Sequence, residues 1–152
     1  FTGALNPWVT WGQIASSRID GEFRFYKQAG DPAGVVLQGT GQAALQGQAV
    51  AATFKLGNSS ATRQRVTVLL HDGDFSDVLA CTFYLTPGQA PSDYAMRAGS
   101  TKAWSNLTLS VYPATVGSGA AHQWIRLSNV AVSKSVVVPT GTECIEPGAS
   151  LP

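Results

Sequence analysis

The chain has 152 residues, 44% of them hydrophobic, which suits one domain with a substantial core. Only 12% are charged and the formal net charge is +1, so Ser, Thr, Gln, Asn and Gly must cover the surface, as is common outside the cell. No Lys/Arg cluster is present to displace counterions from phosphates, which argues against nucleic-acid binding. No apolar run reaches the roughly 20 residues that a membrane-spanning helix needs.

The chain opens at Phe1 with no leader, and a processed or trimmed amino terminus is the expectation. From there the sequence reads as short alternating runs separated by turn formers, the pattern of β-strands. Strands are expected over 8–16, 22–28, 34–38, 48–56, 64–71, 78–85, 92–97, 104–112 and 123–133. Between them lie Gly30-Asp31-Pro32, Gly57-Asn58-Ser59, Asp72-Gly73-Asp74, Pro87-Gly88 and Gly117-Ser118-Gly119, which accept or pre-set turn conformations. Residues 39–47 are the weakest strand segment and could form a short helical turn.

Alternation assigns faces. Phe23 and Phe25 point in, and Arg24 and Tyr26 point out. Val66, Val68 and Leu70 point in, as do Leu79, Cys81, Phe83 and Leu85, with Thr82 and Tyr84 opposite. Leu107, Leu109 and Val111 point in, with Asn106, Thr108, Ser110 and Tyr112 opposite. In the last strand Ile125 and Leu127 are in phase, whereas Val130 and Val132 are not; a β-bulge near Ser128 and Asn129 would restore the phase. Eight or nine strands with one apolar face each make an all-β fold, a two-sheet antiparallel jelly-roll β-sandwich over residues 1–133. Residues 134–152 read as a carboxyl-terminal arm or linker, with Ser135-Val136-Val137-Val138-Pro139 as an extra strand or arm.

Cys81 and Cys144 are too few for a disulfide scaffold and lack zinc-ligand spacing. One bridge would tie the carboxyl-terminal tail to the body; the alternative is a buried free thiol at Cys81. Asn58-Ser59-Ser60 and Asn106-Leu107-Thr108 are glycosylation sequons.

Several phrases occur in one order: Trp8-Val9-Thr10-Trp11-Gly12, Gly34-Val35-Val36-Leu37-Gln38, Phe54-Lys55-Leu56-Gly57-Asn58, Val66-Thr67-Val68-Leu69-Leu70, Cys81-Thr82-Phe83, and Trp124-Ile125-Arg126-Leu127-Ser128-Asn129-Val130. Together they resemble the galactose-binding-like jelly rolls, a superfamily with many carbohydrate-binding modules. The resemblance spans Phe1 to Ser133 and implies an extracellular appendage without catalytic activity. Two departures matter. The family's opening Asn-Gly-Asp-Phe-like phrase survives only as Phe1, so that strand is expected to be missing. Ser128 stands where the family's last strand carries Asp. The calcium site that those carboxylates help to form is therefore not carried over. A missing strand would leave backbone groups unpaired, and the Val136–Val138 arm, from this chain or an identical neighbour, is a candidate to fill the gap.

His71-Asp72-Gly73-Asp74-Phe75-Ser76-Asp77 is the densest polar cluster. Asp72, Asp74 and Asp77 are candidate calcium ligands, although the loop lacks the length and terminal Glu of an EF-hand and reads equally as a hairpin turn. His71, Asp72 and Ser76 supply triad residue types without a nucleophile elbow. Most of the nine acids sit in turns, which disfavours a pair facing each other across a hydrolytic cleft. No catalytic residue and no cofactor are assigned, calcium being the one candidate ion.

Aromatic side chains are the better lead, because a sugar's C–H face stacks on Trp or Tyr while nearby polar groups bond its hydroxyls. The candidate carbohydrate-binding residues are Arg24, Tyr26, Tyr84, Trp104, Asn106 and Tyr112, with Trp8, Trp11 and Trp124 read as core or edge packing. Two functions follow. One is an extracellular, non-catalytic carbohydrate-binding module for a polysaccharide or glycan. The alternative is a structural or adhesive subunit of an extracellular filament or surface layer, exchanging strands between identical chains.

Overall fold

The computed structural model describes residues 8–19, 21–30, 33–114, 124–135 and 141–148. Phe1 and the Val136–Val138 arm, on which the strand-exchange expectation rests, lie outside the described residues. Eleven strands are present among those described: β1 (Val9–Trp11), β2 (Ile14–Ile19), β3 (Glu22–Lys27), β4 (Val35–Gly39), β5 (Ala49–Asn58), β6 (Gln64–Asp72), β7 (Val78–Leu85), β8 (Ser92–Gly99), β9 (Leu107–Pro113), β10 (Ile125–Ser135) and β11 (Glu143–Ile145). They form two antiparallel sheets, one of five strands in the order β1-β4-β9-β6-β7 and one of six in the order β11-β8-β5-β10-β3-β2. The fold is an all-β sandwich, as the alternation predicts.

The core lies where period-two burial places it. Phe23, Phe25, Phe54, Phe83, Leu70, Leu109, Ile125 and Leu127 are all essentially inaccessible to solvent. Phe54 and Phe83 from opposite sheets meet edge to face, their ring centroids 6.1 Å apart, and Tyr94 meets Phe83 at 4.8 Å. Such contacts add to the area term, which for each fully buried Phe is about 1.5–3 kcal/mol.

Four local features refine the sequence reading. The expected strand over 8–16 is broken at Gly12, whose φ of 77° lies in the left-handed region. A Cβ there would sit 2.1 Å from the Ala33 carbonyl oxygen, so only glycine lets the chain pass from β1 in one sheet to β2 in the other. The bulge falls where the phase break puts it: the β10–β5 register shifts between Ser128 and Ala131, and Asn129 has a φ of 51°. Val130 and Val132 thereby regain contact with the core. Residues 39–47 form no helical turn; Ala44 pairs instead with Trp104 in an isolated bridge. The expected strand over 104–112 begins only at Leu107.

Cys81 on β7 and Cys144 on β11 are joined by a disulfide. It ties an edge of the five-stranded sheet to an edge of the six-stranded sheet and anchors the tail, since β11 pairs with β8 through Glu143–Arg97, Cys144–Met96 and Ile145–Ala95.

Candidate functional site

In the five-stranded sheet one set of alternate side chains enters the core, and the other set forms an outer face that register places row by row. Trp11 of β1 stands opposite Val35 of β4. Val9, Leu37, Ser110, Leu69 and Ala80 form one row across all five strands. Tyr112, Thr67 and Thr82 form a second row, and Arg65 and Tyr84 a third. Trp11 is 59% exposed and Tyr84 48%, while Tyr112 is half-buried.

The three aromatic residues thus occupy β1, β9 and β7, every second strand of this sheet. With a strand spacing of roughly 4.8 Å, neighbouring aromatics are about 10 Å apart across the strands and β1 to β7 span about 19 Å, with Tyr84 one row farther along the strands. Among the described residues no Asp or Glu takes an outward position on these five strands. Thr67 and Thr82 supply hydroxyls, joined to each other at 3.0 Å. Chemically the face is an apolar platform with hydroxyls beside it and the Arg65 guanidinium at one end.

Farther along the face the surface closes. His71 is fully buried under the ring of Phe75, their centroids 4.0 Å apart. Its Nδ1 lies 2.6 Å from the Asp72 carbonyl oxygen, which can only accept, so Nδ1 carries the proton and Nε2 accepts from the Ser110 hydroxyl at 2.7 Å. Burial pushes the His71 pKa below its ordinary value, outweighing the upward pull of the Asp72 carbonyl and charge. Among the described residues neither a carboxylate nor Ser76 hydrogen-bonds to the ring. The Asp72 side chain instead accepts from the backbone of Gly73, Ser105 and Asn106 at 2.8, 3.1 and 3.1 Å. The triad residue types in this loop therefore do not form a triad.

The same bonds bear on the calcium ligands considered above. Asp77 Oδ2 accepts from the Thr101 N–H at 2.9 Å and the Trp104 indole N–H at 2.7 Å, and Asp74 accepts from the Ser76 N–H at 2.9 Å. Carboxylates aimed at N–H donors do not converge on a cation. Among the described residues no three His, Cys, Asp or Glu side chains come together in a way that could hold one. Asp72, Asp74 and Asp77 brace the turn through these bonds.

Of the six candidate binding residues, the structure brings Tyr84 and Tyr112 together on one outer face. Trp104 requires correction. Because β9 starts at Leu107, Trp104 lies outside the strand's alternation, and its ring is 2% exposed within the core. Asn106 accepts from the Gly41 N–H at 2.8 Å and its side chain lies against Gly39, so it closes a loop. Arg24 and Tyr26 belong to β3 in the other sheet. There Arg24 pairs with Glu22 at 3.0 Å and Tyr26 lies against Trp124, with ring centroids 5.3 Å apart. Trp11, read from the sequence as core or edge packing, is exposed on the same outer face. Its signal was its place in a three-residue strand just before Gly12, on the sheet's edge, where one side of the chain faces solvent.

The sequence matches no family model and no curated protein. Several solved structures share the fold. One described as "CBM4 structure and function" aligns with a TM-score of 0.61 at 16% identity, covering 86% of this chain and 96% of that one. The chain shares its all-β jelly-roll sandwich fold with this module. A family 61 module in complex with β-1,4-galactotriose aligns with a TM-score of 0.55 at 12% identity, covering 88% of this chain and 92% of that one. A family 29 module complexed with cellulohexaose aligns with a TM-score of 0.52 at 15% identity, covering 85% and 81%.

Proposed function

We propose that this chain is a carbohydrate-binding module whose ligand lies across the outer face of the five-stranded sheet, stacked on Trp11 and Tyr112, with Tyr84 at one end. The observation that carries the reading is the placement of three aromatic side chains on alternate strands of a face that has no carboxylate among the described residues. Aromatic rings offer sugar C–H faces a large contact area with few rotamers to freeze. Solved modules of the same fold hold β-1,4-galactotriose and cellulohexaose, which supports an oligosaccharide as the occupant.

In this reading the module acts by binding alone, and the His71 and Asp72 side chains, bonded elsewhere, form no triad with Ser76. It works outside the cell or at its surface, where the Cys81–Cys144 bridge persists. Affinity electrophoresis through gels containing individual polysaccharides tests the reading. Retardation by at least one, reduced by Trp11→Ala and Tyr112→Ala but not by Tyr26→Ala, is the expected result. Equal retardation of all variants, or of none in any gel, would refute it.

A further inference from the structure

The platform has an electrically distinctive end. Arg63, just before β6, places its guanidinium carbon 4.3 Å from the centroid of the exposed Tyr84 ring. The described arginines elsewhere are matched differently: Arg24 and Arg126 share Glu22, and Arg97 binds Glu143 at 2.6 Å. Among the described residues no carboxylate is within ion-pair distance of Arg63. Arg65, likewise exposed, stands opposite Tyr84 at the same end of the face.

Stacking on a ring occupies the plane of a guanidinium. Its five N–H groups lie at the edge of that plane, in the fork that matches a carboxylate or sulfate. An aromatic ring supporting a cation that no acid among the described residues neutralises suits a sugar carrying a negative charge. A neutral glucan would require no charge at this position, and the exposed cation–π contact by itself contributes only about 0.5–1 kcal/mol.

We infer that the platform takes an anionic polysaccharide, with a carboxylate or ester sulfate of one residue held by the edge of Arg63 while an adjacent sugar ring stacks beside Tyr84. This rests on the reading of the sheet face as a glycan platform and adds the class of glycan. The charge also gives the face a direction, because an acidic group engages one end and the neutral rings of Tyr112 and Trp11 take the residues that follow.

The test is affinity electrophoresis and titration calorimetry at low and high salt, with paired ligands. The pairs are polygalacturonate and its fully methyl-esterified form, and a sulfated galactan and its desulfated form. A neutral β-glucan and a single-stranded oligothymidylate complete the set. The expected result is that at least one acidic ligand binds better than its neutral partner, that this preference shrinks with salt, and that Arg63→Ala weakens binding of that ligand about fivefold. Arg63→Lys should retain part of the preference, and both variants should unfold at the wild-type temperature because Arg63 is exposed. Whichever pair shows the preference distinguishes carboxylate from sulfate. Equal binding of the charged and neutral members, unchanged in Arg63→Ala, would overturn the inference and leave the platform standing. Tighter binding of oligothymidylate than of any glycan would overturn the inference in favour of a nucleic-acid surface. Retention of no ligand at all would overturn the platform reading together with it.

Discussion

Replacing Asp77 with alanine should destabilise the sandwich far more than a loop position suggests. Its Oδ2 holds two N–H groups, the Trp104 indole at 2.7 Å and the Thr101 backbone at 2.9 Å. Trp104 is 2% exposed, so in Asp77→Ala its indole N–H stays inside the core without an acceptor. An unsatisfied buried donor costs about 1–3 kcal/mol, and a lost hydrogen bond to a charged group about 1.5–3 kcal/mol. Counting the shared part once, about 3 kcal/mol is expected, a fall in Tm of about 6–12 °C for a domain of this size. Burial pushes the Asp77 carboxyl up, but the bonds from Trp104 and Thr101 outweigh it and leave the pKa below its ordinary value of 3.8. The stabilisation is therefore present above that value and fades as pH falls through the lowered folded pKa. Scanning calorimetry of Asp77→Ala, Trp104→Phe and the double variant tests the claim. With Trp104→Phe the orphaned donor is gone, so Asp77→Ala should cost at least 1 kcal/mol less in that background. An equal cost in both backgrounds, or a single-variant loss below about 0.5 kcal/mol, would refute the reasoning.

Two further outcomes follow. The Cys81–Cys144 bridge closes a sequence separation of 63, for which the chain-entropy relation gives about 4 kcal/mol; Cys144→Ser should lower stability by up to that amount in denaturant titrations, and added reductant should lower the wild type but not the variant. The folded pKa of His71 lies below 6.5, so the unfolded chain binds this proton first. Stability from His71 is complete above about pH 6.5 and falls toward the folded pKa by at most about 1.4 kcal/mol per pH unit, a slope that should flatten in His71→Gln when urea titrations at neutral and mildly acid pH are compared.

The sheets were legible wherever burial alone decides the side-chain phase. β7 alternates throughout and β6 does so as far as Leu70, and even the bulge in β10 shows as a phase error between Leu127 and Val130. Phase distinguishes inside from outside, but it does not say to which sheet an outward residue belongs. Tyr26 and Tyr84 are both outward in phase, yet β3 and β7 lie in different sheets, because pairing is fixed by contacts far apart in sequence. The same non-local pairing hid Trp11, whose position depends on β1 joining β4 while Gly12 sends the next residues to the other sheet. Trp104 misled for a local reason. Its bridge to Ala44 looks like strand sequence, and two residues of bend separate it from the alternation of β9. Arg63 carried no sequence signal, since its significance lies in a ring 21 positions away in the chain.

The most direct measurement is the footprint of a bound oligosaccharide by amide and indole NMR chemical shifts, using a fragment of a polysaccharide that retards the protein. The account predicts that the largest changes fall on the Trp11 indole N–H and on amides of β1, β9 and the end of β7 around Tyr84. A footprint centred on Tyr26, Trp124 and the outer face of the six-stranded sheet would contradict it.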